Sequence, residues 1–246
     1  MAESLGIAQS GRVEGLRYRI APEVFAAHPG YCRGVVVFEQ LDNRSDAATL
    51  APLLRDAEAQ VRDTVKGNVA EHPRIAAWRD AYRRFGAKPS EHRSSIEAMV
   101  RRVVQAGVLP SINPLVDIGN IVSLRHLLPA GVHPLGPTAV ALALRPAAEN
   151  GPMAATDDKP AETMPNGEFV FADGPTVLTR RWTWRQARGT QTHGDATRVF
   201  FNLDGLPPAS AHAVRAAMQD VVTLVQNHCG GVLVASAVLD AEAREL

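Results

Sequence analysis

The run Gly34-Val35-Val36-Val37-Phe38 contains no polar side chain, and a β-branched stretch of that kind forms a strand buried on both faces. Whatever the chain folds into must cover both sides of this strand. Just before it, Leu16-Arg17-Tyr18-Arg19-Ile20 alternates apolar and polar residues, the pattern of a second strand. After it, Asp46 precedes a helical stripe of Leu50, Leu53, Leu54, Ala57, Val61 and Val65 that ends at Gly67. The chain opens as strand, strand and helix.

Two further helices follow. His72-Pro73 starts one, with proline in the first turn, and Ile75, Trp78, Tyr82 and Phe85 share a face before Gly86. The next begins at Ser94-x-x-Glu97, a capping box in which each side chain bonds the free backbone N–H of the other end. Ile96, Met99, Val100, Val103 and Val104 carry its stripe to Gly107. Residues 108–128 are apolar but hold Asn113, Asp117, Asn120 and Ser123, which predicts a buried helix with polar groups at its start. Residues 138–144 read as a strand, and residues 145–167 lack aromatic and aliphatic β-branched core formers, so they are expected to be an exposed loop. Glu168-Phe169-Val170-Phe171-Ala172, the turn Asp173-Gly174 and Val177-Leu178-Thr179 predict a hairpin. A strand over residues 198–203, a helix over 209–228 with Val214, Met218, Val221, Val222 and Val225 inward, and a strand from Val232 complete the pattern. With no internal repeat, the expectation is an α+β fold: one compact mixed domain over residues 1–246, with the loop dividing two halves.

Composition removes several classes of function. With 26 Lys plus Arg against 26 Asp plus Glu, the 246-residue chain has no net field with which to wrap nucleic acid, so any such contact needs a local basic patch. Cys32 and Cys229 make neither a metal pair nor a disulfide framework, and the opening MAESLGIAQSG lacks a basic-then-apolar leader, which predicts a cytoplasmic protein. No apolar run approaches the roughly 20 residues that cross a bilayer. The eight histidines fall in no ligand spacing, and there is no phosphate-cradling glycine loop, so neither metal nor cofactor is expected.

Two local features carry chemistry. Arg83, Arg84, Lys88, Arg93, Arg101 and Arg102 stand against Glu91 and Glu97, and Arg180, Arg181, Arg185 and Arg188 surround Trp182 and Trp184. Arginine interleaved with aromatics suits a single strand or a tRNA end, through phosphate pairing and base stacking. The alternative is a solvated helix face for the first cluster and arginines packed over core tryptophans for the second. The other feature is the string Asn113, Asp117, Asn120. Asn113 and Asp117 match turn and cap chemistry, whereas Asn120 lies inside the helix with no capping role.

The string belongs to a familiar pattern. Ser111-Ile112-Asn113-Pro114-Leu115-Val116-Asp117-Ile118-Gly119-Asn120-Ile121-Val122 resembles the P-I-N-x-x-V-D-x-T-N-x-V signature of the B3/B4 domain in the beta subunit of bacterial phenylalanyl-tRNA synthetase. AWRDAYRRFGAKPSEHRSSIEAMVRR, RRWTWRQ and the strand Phe200-Phe201-Asn202-Leu203-Asp204 are similar to free-standing relatives of that domain, so the likeness spans residues 73–206. The resemblance implies the fold of that domain and its role as an editing module, which in the synthetase hydrolyses tyrosine wrongly esterified to the phenylalanine tRNA. Its pocket uses the threonine-asparagine pair, a histidine about a dozen residues later and a glutamate that reads the tyrosine hydroxyl. Here Asn120 matches the asparagine and Gly119 replaces the threonine. His133 is the counterpart of the histidine after a short insertion. Asn202 falls near the glutamate position, with Asp204 the nearest carboxylate on the same strand face.

The resemblance thus implies Asn120 and His133 as catalytic residues and Gly119, Asn113, Asn202 and Asp204 as substrate-binding ones. Arg101, Arg102, Arg180, Arg181, Arg185 and Trp184 would contact RNA. The expected partner is tRNA or aminoacyl-tRNA with its amino acid in a pocket, and the expected activity is hydrolysis of mischarged tRNA in trans. An amide at 202 predicts a weaker preference for tyrosine than a carboxylate would give, or a different polar amino acid. A non-catalytic module that binds RNA or an amino acid, and a metabolic protein reusing the fold, are the alternatives.

Overall fold

The apolar run forms the middle of a strand with cover on both sides in the computed structural model, which describes residues 15–44, 47–136, 140–147, 164 and 167–246. In chain order the elements are β1 (Leu16–Ile20), α1 (Pro22–Ala27), β2 (Cys32–Glu39), α2 (Ala51–Thr64), α3 (Pro73–Arg84), α4 (Ser95–Val104), α5 (Pro114–His126), β3 (Ala130–Pro134), β4 (Val140–Pro146), β5 (Phe169–Asp173), β6 (Thr176–Arg180), β7 (Arg185–Gln186), β8 (Val199–Gly205), α6 (Ala211–His228) and β9 (Val232–Leu239). They build an α+β fold with two sheets. One has the order β3-β8-β2-β9 and is antiparallel throughout; the other has the order β1-β4-β5-β6-β7, with only β1 and β4 parallel.

Antiparallel sheets often leave one face to water. This four-stranded sheet does not, because α5 and α6 cover one face and the second sheet covers the other. A Cβ on Gly34 would lie 2.7 Å from Met218 and 2.8 Å from Val214 of α6, and one on Gly205 would lie 2.7 Å from Val214. On the opposite face Phe200 of β8 meets Tyr18 of β1 and Phe171 of β5, at ring-centre distances of 5.9 and 5.7 Å. The stripes of α2, α4, α5 and α6 join both sheets in one continuous apolar core.

Some expectations change in detail. The Ser94 hydroxyl accepts from the Glu97 N–H at 3.4 Å, but the Glu97 carboxylate does not turn back to complete the box. It receives Arg79 at 2.6 Å and Arg101 at 2.9 Å, since a buried carboxylate gains more from guanidinium than from an amide. The helix α1 and the short strands β3 and β7 carry no clear sequence pattern. Arg145 and Pro146, at the start of the expected loop, close β4 instead; residues 148–163 and 165–166 of that loop, Asp46 and Thr138 lie outside the described residues.

The close approach of α6 to the sheet gives a direct test. Gly34→Ala should cost about 1–3 kcal/mol of unfolding free energy by overpacking, and Met218→Ala in the same chain should recover part of it. Denaturant titration of both single variants and the double variant measures the coupling; additive losses would contradict the contact.

Candidate functional site

β8 divides its side chains between two faces. Val199, Phe201 and Leu203 face the helices, whereas Phe200, Asn202 and Asp204 face the second sheet. Register extends that inward row: His133 pairs with Phe200 and Gly131 with Asn202 on β3, and Arg33 pairs with Asp204 on β2. Arg33, His133, Asn202 and Asp204 are thereby gathered between the sheets, where Tyr18 and Tyr31 join them. Arg33 Nε donates to Asp204 Oδ1 at 2.7 Å and Arg33 Nη1 donates to the Tyr18 hydroxyl at 3.0 Å. The Tyr18 hydroxyl donates to Asn202 Oδ1 at 2.6 Å, and the Tyr31 hydroxyl donates to Asp204 Oδ1. The Arg33 side chain is only 1% exposed, and it also lies over the Phe171 ring at 5.0 Å. Burial pushes both phenols above their usual range, so they remain protonated donors.

His133 is set by its neighbours. Its ring stacks on Phe200 at 5.1 Å, and burial together with the Arg33 charge lowers its pKa to about 3. It is therefore neutral at physiological pH. The Gln186 amide nitrogen donates to the Thr190 carbonyl at 2.5 Å and lies 3.0 Å from His133 Nδ1, so it must also be the donor there. Nδ1 is thus an acceptor, and Nε2 carries the ring proton.

The turn between β6 and β7 forms the rim. Arg181 and Trp182 have φ of +46° and +65°, unfavourable for residues with a Cβ, and packing holds them there. Trp182 is buried among Tyr31, His28, Trp78 and Phe169, with ring centres 4.7 to 5.5 Å away. Thr183 is clamped by the Tyr82 hydroxyl at 3.1 Å and by the N–H of Ser95 on its carbonyl at 2.9 Å. Trp184 is left half-buried, with the Arg181 and Arg185 guanidiniums over its ring at 4.5 and 4.9 Å. Between this rim and the strands lies a cavity of about 130 Å³, lined by Arg33, His133, Asn202, Asp204, Gln186 and Trp184 among others.

Of the residues expected from the sequence, the structure brings together His133, Asn202, Asp204, Trp184 and Arg185 at this cavity. Others stand elsewhere. Gly119 faces Phe201, across the sheet from the cavity, where a Cβ would have room, its nearest neighbour being 4.0 Å away. Asn120, on the same helix, is half-buried and does not line the cavity. Asn113 caps α5 through the Val116 N–H at 3.1 Å, accepts from Asn43 at 3.1 Å and donates to the Thr192 carbonyl at 2.9 Å. Asp117 holds the Ile112 N–H at 2.9 Å, and both residues therefore tie backbone together. Arg180 is 1% exposed and forked onto Glu168 by two bonds of 2.9 Å, which removes it from any phosphate. Arg181 is buried, Arg101 is paired to Glu97, and Arg102 is exposed with its Nε on the Val108 carbonyl at 2.8 Å. Sequence reasoning missed Arg33, Tyr18, Tyr31 and Gln186. A lone arginine at the head of an apolar strand was the available signal, and its acid lies 171 residues away. Among the described residues no cluster of three metal-binding side chains occurs. Among the same residues no helix is long and apolar enough to cross a membrane.

The model of the B3/4 domain family matches residues 77–230, more than half of the chain. No curated protein matches it. Among solved structures it is similar to an N-terminal fragment of the phenylalanyl-tRNA synthetase beta subunit from Pyrococcus horikoshii, at 13% identity and a TM-score of 0.45. That match covers 93% of this chain and 52% of the other, so the chain spans about half the length of the fragment.

The depressed histidines predict a pH dependence of stability. His133 and His28 fall from 6.5 to about 3 and about 4, so below pH 6.5 the unfolded chain takes up protons that the folded one refuses. Unfolding free energy should fall as pH drops from 6.5 toward 3, by up to about 1.4 kcal/mol per pH unit for each histidine. His133→Gln should remove one histidine's share of that slope in denaturant titrations at pH 7, 5 and 4. Equal slopes in variant and wild type would refute the assignment.

Proposed function

The chain belongs to the B3/4 domain family, and from that premise we propose that it takes the aminoacylated 3′ end of a tRNA and hydrolyses the ester of a mischarged amino acid in trans. The observation that carries this reading is the cavity itself: a polar floor of Arg33, Asn202 and Asp204, His133 on one wall, and a half-exposed tryptophan with arginine at the mouth. The terminal base would stack on Trp184 and Arg185, and the aminoacyl group would enter between the sheets. Ester hydrolysis needs a water and donors for the oxygen that gains charge. His133 suits the donor role, because its Nε2 carries the proton and its low pKa makes it a poor base.

A non-catalytic binding module is the second reading, and one observation favours it: His133, the imidazole that lines this cavity, does not titrate near neutrality. Deacylation of a panel of differently charged tRNAs separates the two. Under the hydrolytic reading at least one mischarged tRNA is turned over, without an inflection from His133 between pH 5 and 8. His133→Ala should cost about tenfold or more, the scale of losing one oxyanion donor. Asn120→Ala should cost less, because Asn120 stands outside the cavity. Tight binding with no turnover across the panel would leave the binding module. For the RNA interaction, Arg185→Ala should lower the slope of log affinity against log salt by about 0.7–0.9 for each phosphate that the arginine neutralises in the wild type. An unchanged slope would return Arg185 to packing over Trp184.

A further inference from the structure

Two relays of hydrogen bonds end at the cavity floor, and each starts from a group that can only donate. A guanidinium has no acceptor, so the Tyr18 hydroxyl must accept from Arg33 Nη1 at 3.0 Å and direct its one proton onward. That proton goes to Asn202 at 2.6 Å, which fixes the atom on that side as Oδ1. The Asn202 amide is thereby turned so that its NH2 remains, and Nδ2 has no protein partner among the described residues although the side chain is nine-tenths buried. The indole N–H of Trp182 likewise donates to the Tyr31 hydroxyl at 3.3 Å, so Tyr31 gives its proton to Asp204 Oδ1, which Arg33 Nε also occupies. Asp204 Oδ2 is left without a protein partner among the described residues. Neither Nδ2 nor Oδ2 is sealed in the interior, and both side chains line the cavity.

We infer that Tyr18 and Arg33 are positioning residues that set the polarity of this floor, with a donor at Asn202 and an acceptor at Asp204, so that the cavity selects a small side chain bearing a hydroxyl or a carboxamide. Those groups can accept from Asn202 and donate to Asp204 together. An apolar side chain of the same size would leave a buried donor and a buried acceptor unpaired. The inference rests on the reading of the cavity as an aminoacyl site and names the class of amino acid it takes.

The test uses full-length protein and non-hydrolysable adenosine analogues in which an amide joins the amino acid to the 3′ position. Serine is compared with α-aminobutyrate, and asparagine with leucine, each pair differing in polarity at similar size. Calorimetry should give wild-type affinity about tenfold or more higher for the polar member of at least one pair. Tyr18→Phe keeps the ring against Phe171 and Phe200 but lets the Asn202 amide turn over. It should bring that ratio toward one, with the affinity for the apolar member changed less than about threefold. A purely structural role for Tyr18 would lower both affinities alike and keep the ratio, which overturns the positioning role. Equal binding of polar and apolar analogues by wild type overturns the inference while leaving the aminoacyl reading in place. No binding of any analogue removes both. If Tyr18→Phe does not fold, the wild-type ratio still decides the polarity of the floor.

Discussion

The Arg33–Asp204 pair is the constraint around which the inner face of this fold is arranged. A guanidinium 1% exposed between two sheets is tolerable only when its charge is compensated, and here one carboxylate takes Nε, one phenol takes Nη1 and one aromatic face covers the plane. The pair also locks geometry. Arg33 and Asp204 stand directly opposite each other on β2 and β8, and a slip of one residue would turn Asp204 toward α6 and strand the charge. Arg33 Nη1 reaches across to Tyr18 on β1, so the same ion pair joins the two sheets. What holds the sheets in register is therefore also what shapes the cavity floor.

The rim depends on a different device. A turn with two successive left-handed residues does not hold its shape by itself; it needs surroundings that determine it more than once. The helices α3 and α4 supply this through Trp78, Tyr82 and the first N–H of α4, while Trp182 fills the space that α3 leaves. The burial of Trp182 and the half-exposure of Trp184 follow from one turn: one aromatic anchors it and the other is presented.

Much of this architecture was legible in the sequence, and the illegible part has a physical pattern. The stripes of Leu54, Ala57 and Val61, of Ile96, Val100 and Val103, and the run around Val36 are all buried, because periodicity reports burial directly. The Asn113 cap was legible from equally local chemistry. What could not be read is anything made by pairing distant segments: β3 and β7 are short strands defined by their partners, and Arg33 is defined by Asp204. The Asn113–Asp117 string shows the converse. It is conspicuous in the chain because it is polar among apolar neighbours, yet its hydrogen bonds go to backbone, to Asn43 and to the Ser111 hydroxyl, so it organises the entry to α5 rather than the cavity.

The amide at position 202 follows from the same electrostatics. Residues 202 and 204 point to one face of β8, roughly 7 Å apart along the strand, and Arg33 is the cation that bonds their floor among the described residues. Arg185 at the mouth lies over Trp184 instead. Two carboxylates sharing one buried guanidinium could not both ionise at ordinary cost, and one of them would be driven to hold a proton. A single acid at 204, bonded by Arg33 and Tyr31, satisfies the guanidinium, and a neutral amide at 202 then carries the Tyr18 bond without adding charge. The floor keeps one compensated charge, and Asn202 Nδ2 and Asp204 Oδ2 have no protein partner among the described residues.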